Sequence, residues 1–126
     1  MTYSSNNINL LGKLTGQEFV IEQKQLDILK THIATNFPAY EPNEMMIDRL
    51  QNALDNNQRI SGADASFYFH ELKESELMQQ GYTYQEAHQQ ALHYYEVSPF
   101  SVYHPDVIVA CHEEFNQKWR DSWGIK

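Results

Sequence analysis

Several residue types are scarce in this chain, and each shortage excludes a class of protein. The 126 residues include one cysteine, Cys111, so an internal disulfide framework is excluded. No apolar run approaches the roughly 20 residues of a membrane-spanning helix, which predicts that the chain makes no stable membrane insertion. Nine basic residues stand against 17 acidic ones, and the formal net charge of −8 argues against a broad electrostatic grip on nucleic acid. A small nuclease site stays open, because acidic side chains can hold a divalent ion that meets the phosphate.

Aromatic residues are plentiful by contrast, and they indicate one packed domain. They make up 13% of the chain, which is typical of a folded core rather than of a disordered segment. A chain of this length buries about two-thirds of the surface that its unfolded form exposes. The first residues are polar, so we expect a flexible segment over residues 1–13 and a single helical domain over residues 14–126.

Start and stop signals along the chain predict an all-α fold of about five helices. Each predicted helix begins at a capping box or a proline: Thr15-Gly-Gln-Glu18, Glu41-Pro42, Ser61-Gly-Ala-Asp64, Thr83-Tyr-Gln-Glu86 and Pro105. The helix over residues 62–80 has apolar side chains on two opposite faces, which predicts a central position in the fold. No stretch alternates long enough to predict a confident strand, although residues 19–21 have the composition for a brief pairing.

An imidazole and a carboxylate lie on one face of this central helix. His70 and Glu74 are four residues apart and are surrounded in the pattern by Phe67 and Leu77. Burying such groups is costly unless each finds a partner. The pair is therefore either a hydrogen-bonded packing element or part of a functional site.

Other residues between the central helix and the last one extend this candidate site. His88 lies in the apolar stripe of the fourth helix, and Tyr103 has a hydroxyl that either joins a site or fills space. His104 precedes Pro105, so a helix N-cap is the leading alternative for it. The candidate catalytic residues are His70, Glu71, Glu74, His88, Tyr103 and His104.

Two mechanisms suit these residues. In the first, His70, Glu74 and His88 bind a divalent metal ion from facing helices and leave positions for water and substrate. In the second, no metal takes part, and one histidine is a general base while another histidine or a carboxylic acid is the general acid, as phosphodiester cleavage uses. Position 74 is not histidine, so the His-Glu-x-x-His signature of zinc peptidases is incomplete.

The longest motifs of the chain resemble a known family. These are Ile60 to Leu72, Ala87-His88 with Ala91-Leu92, Val97 to Ile108, and Phe115-Asn116 with Trp119 and the final Trp-Gly-Ile. In this order they resemble the variable C-terminal toxin domains of Rhs-repeat and related polymorphic toxins of bacteria. The resemblance implies delivery by a contact-dependent or type VI secretion apparatus into a competing cell, action in its cytoplasm, and a cognate immunity protein in the producer.

The resemblance and the histidine-carboxylate pattern together predict an antibacterial effector that is a hydrolase. Nuclease activity on a nucleic-acid substrate is favoured, since histidine and carboxylate sites suit phosphodiester cleavage. One alternative is a non-catalytic toxin or interaction domain that binds a target protein or a membrane, in which His70 serves only folding. Another is a different hydrolase that cuts peptidoglycan, a peptide or a nucleotide.

Overall fold

Helices form most of the structure, as the start signals predict. The computed structural model describes residues 10–125. Its six α-helices are α1 (Gln23–Asn36), α2 (Glu41–Asp55), α3 (Gly62–Gln79), α4 (Tyr84–Tyr95), α5 (Pro105–Ala110) and α6 (Gln117–Ser122). The described residues contain no β-strand beyond one isolated antiparallel bridge between Phe19 and Ile60, so the all-α class is confirmed.

Helix α3 is the centre of the molecule. It packs against α4 on one side and against α1 and α2 on others, and therefore buries side chains around most of its circumference. Phe67 and Ala65 are fully enclosed in the main core, together with Leu26 of α1 and Leu50 of α2. The same packing encloses the polar side chains of α3, since no face of the helix is left wholly to water.

The sequence signals at the ends of α3 and α4 act mostly as predicted. Thr83 and Glu86 form a complete capping box, in which each side chain accepts a hydrogen bond from the other residue's backbone N–H. Gly81 follows α3 with a φ of 104°, a left-handed conformation that glycine adopts easily. Ser61 makes no cap hydrogen bond. Asp64 instead accepts two hydrogen bonds of 2.9 Å from Arg49 of α2.

Two other helix predictions were wrong. Thr15 does not start a helix, because its hydroxyl donates to the Gly12 carbonyl and Gly16 has a left-handed φ of 73°. The chain then extends, and α1 begins only at Gln23. The predicted last helix is split after Ala110, and α6 starts afresh where the Asn116 side chain accepts from two backbone N–H groups.

The predicted flexible segment over residues 1–13 falls mostly outside the described residues. Within its described part, Leu10 is buried in the main core and its carbonyl accepts a hydrogen bond from the Ser98 backbone. Gly12 has a φ of 45° and lies so close to the Glu96 carbonyl that a Cβ atom there would overlap it. This backbone contact holds the start of the described chain against the end of α4. None of the helices within residues 10–125 has both the length and the apolar character that crossing a bilayer requires.

Candidate functional site

The Glu74 carboxylate is buried at the junction of three helices, where three histidines surround it. Its exposed fraction is 1%. Oε1 lies 2.9 Å from Nε2 of His32 on α1, and Oε2 lies 3.0 Å from Nε2 of His70 on α3. Nδ1 of His88 on α4 lies 3.3 Å from Oε2. Burial acts to raise the pKa of Glu74, but the hydrogen bonds with the three histidines lower this pKa well below its usual range.

Three of these atoms form a triangle in which hydrogen bonds between all three pairs cannot be made at once. Nε2 of His70 and Nδ1 of His88 are 3.0 Å apart, and both face Oε2 of Glu74. If both nitrogens carry hydrogen, the two N–H groups crowd each other, and if one is bare it gives up its bond to the carboxylate. Nitrogen and oxygen ligands at zinc bond lengths lie about 3.3–3.5 Å apart in a tetrahedral site, close to this spacing. His70, Glu74 and His88 are therefore a group that could hold a metal ion.

His32 has a different role, which its neighbour Asn36 determines. Nδ2 of Asn36 donates to the His32 carbonyl at 2.9 Å, which fixes the orientation of the amide. The same Nδ2 lies 3.2 Å from Nδ1 of His32, so this ring nitrogen accepts. The hydrogen of the neutral ring is then on Nε2 and points at Oε1 of Glu74. His32 thus holds Glu74 in place and has no Nε2 lone pair for a second ion, although His32, Glu71 and Glu74 also lie within ligand distance of one another.

Glu71 is the second carboxylate of the site, and it is poorly satisfied. Its Oε1 is buried with no hydrogen-bond partner and lies 3.6 Å from Nε2 of His32, beyond hydrogen-bond distance. Burial and the negative charge of Glu74 raise the pKa of Glu71 well above its usual value. Nδ1 of His70 is likewise buried without a partner. Unpaired buried groups of this kind are rare in folded proteins and concentrate at functional sites.

A cavity of about 310 Å³ opens beside the cluster. Its walls include His70, Glu71 and His88, so the two histidines of the triangle and the second carboxylate border the same space. Tyr103 lines it too, and its hydroxyl donates to Oδ1 of Asn43 at 2.6 Å. Burial, and next the charge of Glu71, raise the pKa of Tyr103, which therefore stays a hydrogen-bond donor.

The structure thus brings five of the six predicted site residues together. His70, Glu71, Glu74 and His88 form the polar cluster, and Tyr103 lines the cavity beside it. His104 is not among the residues that line this cavity. Its Nδ1 accepts from the Asp106 backbone at 2.9 Å, which is the predicted N-cap.

The sequence analysis missed His32. One signal could have found it, because His32 lies three residues after Leu29 and next to Ile33, on the apolar face predicted for the first helix. His32 is 42 positions from Glu74, and no local pattern reports a contact over that separation.

Comparison with known proteins leaves the interpretation to this geometry. No family model, no curated protein and no solved structure matches the chain. The function must therefore be inferred from the cluster, the cavity and the charges around them.

Proposed function

We propose that this chain is the effector domain of an antibacterial polymorphic toxin and that it is a metal-dependent hydrolase. The observation that carries the hydrolase proposal is the triangle of His70, His88 and Glu74 at the edge of a cavity. Three ligand atoms of neutral imidazole and carboxylate type, with cavity space beside them, match the open sites of catalytic metal ions. The residues suit Zn²⁺ best, since two nitrogens and one carboxylate oxygen complete such a ligand set.

Each residue then has a distinct task in hydrolysis. A divalent ion held by His70, Glu74 and His88 would supply a water molecule of lowered pKa and would polarise the bond to be cut. Glu71 borders the cavity and lies within ligand distance of Glu74, and its carboxylate would take a proton from the attacking water. His32 keeps Glu74 oriented so that Oε2 faces the two ligand nitrogens.

The toxin context is supported by where these residues lie in the chain. His70 and Glu71 fall within the motif from Ile60 to Leu72, and His88 falls within the second motif, Ala87-His88. The motifs that resemble polymorphic toxin domains therefore carry the two proposed histidine ligands and Glu71, and Glu74 follows the first motif by two residues. We accordingly propose a cognate immunity protein, delivery into a competing bacterium and action in its cytoplasm.

Expression in bacteria tests the proposal. Wild type, His88→Ala and the matched control His93→Ala, which changes an exposed histidine on the same helix, are each induced in cells without an immunity protein. Wild type and His93→Ala should stop growth, and His88→Ala should not. The purified wild-type and His93→Ala proteins should each bind one Zn²⁺ by calorimetry, whereas His88→Ala should bind it at least tenfold more weakly.

Circular dichroism must first show that His88→Ala folds. A folded His88→Ala protein that remains fully toxic contradicts the hydrolase proposal and favours a non-catalytic interaction domain. A wild type that binds no divalent ion but loses toxicity with His88→Ala indicates the metal-free acid-base mechanism instead.

A further inference from the structure

The walls of the cavity are mostly aromatic and aliphatic. Apart from the polar residues already described, Phe37, Pro38, Tyr40, Tyr84 and Val102 line it. The ring of Tyr84 lies 5.2 Å from that of Phe37 and 5.7 Å from that of His88, measured between centroids. An apolar group in the cavity would therefore rest on these rings directly beside the ligand cluster.

No lysine or arginine is among the lining residues. Three of the basic side chains elsewhere in the described chain are paired with carboxylates. Arg49 pairs with Asp64, Lys73 with Glu76, and Lys13 with Glu96. The cavity therefore has no arginine or lysine to meet a phosphate, which hydrolases of phosphodiesters commonly use to stabilise the charge that develops.

On this basis we infer that the substrate is a small peptide-like molecule with an uncharged amide bond next to an aromatic or aliphatic group. This inference rests on the proposed function and replaces the nucleic-acid substrate favoured by the sequence. The cavity is near the lower end of the size range of ligand pockets, which suits one side chain and its flanking amide. The Asn43 amide, held by the Tyr103 hydroxyl, gives the wall a neutral hydrogen-bonding group that suits a backbone amide.

The reaction balances with water as the only co-substrate. Glu71 removes a proton from water, and the water oxygen forms a bond to the amide carbon. The carbon–nitrogen bond then breaks, and Glu71 passes the proton to the leaving nitrogen. The products are a carboxylic acid and an amine, and Glu71 returns to its starting state.

Two hydroxamates probe the cavity, because both bind a metal ion through the same hydroxamate group and differ only in the apolar group attached to it. Benzohydroxamate carries a ring, and acetohydroxamate carries a methyl group. In the Zn²⁺-loaded full chain, benzohydroxamate should bind about tenfold more tightly, since its ring is buried against the aromatic wall. Tyr84→Ala should reduce that ratio to below about threefold.

Tyr82→Ala is the matched control. Tyr82 is two residues away and 40% exposed, against 41% for Tyr84, but it does not line the cavity. In the Tyr82→Ala protein, the tenfold preference for benzohydroxamate over acetohydroxamate should be unchanged. Inorganic phosphate should compete with neither hydroxamate at equal concentration.

A cleavage assay gives the second arm. The Zn²⁺-loaded protein is incubated separately with mixed peptides, peptidoglycan fragments, RNA and DNA, and the products are followed by mass spectrometry and gels. Cleavage of an amide in either of the first two supports the inference and identifies its source. Cleavage of nucleic acid alone, or equal binding of the two hydroxamates, overturns the inference but leaves the hydrolase proposal standing. Failure of the wild type to bind Zn²⁺ overturns the inference and the metal-dependent form of the proposed function.

Discussion

Replacement of His32 by leucine tests whether the buried network depends on the Nε2–H donor. Removing one member of a buried charged pair costs about 3–5 kcal/mol, because the other charge is left without compensation. Glu74 keeps two other histidines, and a single hydrogen bond to a charged group contributes about 1.5–3 kcal/mol. We therefore expect His32→Leu to lower the free energy of unfolding by about 2–3 kcal/mol, or the melting temperature by about 8–12 °C in a domain of this size.

A second variant tests the tautomer separately. Asn36→Ala leaves the His32 ring in place but removes the donor that makes Nδ1 an acceptor. The expected loss is about 1 kcal/mol, or about 4 °C, because Nε2 can still donate to Glu74 in the remaining neutral form. Thr31→Ala, which changes an exposed residue of the same helix, is the control and should leave the melting temperature within about 2 °C of wild type.

Thermal unfolding, followed by circular dichroism in the presence of a chelator, gives the melting temperatures of the wild type and of the three variants. Zn²⁺ should then restore part of the His32→Leu loss, since a cation on the Oε2 side compensates the Glu74 charge. The reasoning is refuted if His32→Leu melts within 2 °C of wild type, or if Asn36→Ala costs more than His32→Leu. Either result would mean that the network does not hold Glu74 in the way described.

Three further predictions concern other parts of the chain. Glu71→Gln should raise the melting temperature of the metal-free protein at pH 7 and abolish hydrolysis. The pKa of Glu71 is raised in the folded protein. The stability gained by the variant should therefore disappear below about pH 4, where the wild-type carboxyl is protonated in both the folded and the unfolded states. Gly12→Ala should lower the free energy of unfolding, measured in urea, by about 2 kcal/mol or more because of the clash with the Glu96 carbonyl. Gly81→Ala, where the space is open, should lower it by about 1 kcal/mol. Equal losses in the two variants would contradict the contact. Thr83→Ala should cost about 1 kcal/mol in the same assay, and no measurable change would show that the capping box contributes nothing.

Local signals account for most of what the sequence analysis predicted correctly. The capping box at Thr83 and the proline at position 105 act within a single turn of helix, so a pattern of a few residues is enough to place them. The central helix was predicted over residues 62–80 and is observed over Gly62–Gln79, because two apolar faces and a following glycine define it. The pairing of His70 with Glu74 is also local, since they are four residues apart.

Contacts that are distant in the chain explain part of what the sequence analysis did not predict. Thr15-Gly-Gln-Glu18 has the spacing of a capping box, but Phe19 pairs with Ile60 and draws the segment into extended backbone. Similarly, the role of His32 depends on α1 packing against α3. The composition of the cavity follows from such packing too, so the sequence could not show that no lysine or arginine lines it.

The cluster is formed by α1, α3 and α4, and this has a consequence for when the proposed toxin could act. His32, His70 and His88 are separated by long intervals of sequence, so an extended chain holds none of the distances on which the proposed centre depends. A polypeptide threaded unfolded through a narrow conduit would be inert in transit and would become active only after it refolds on the far side. A binding protein that keeps α1 apart from α3 would therefore disarm the chain without touching the cavity.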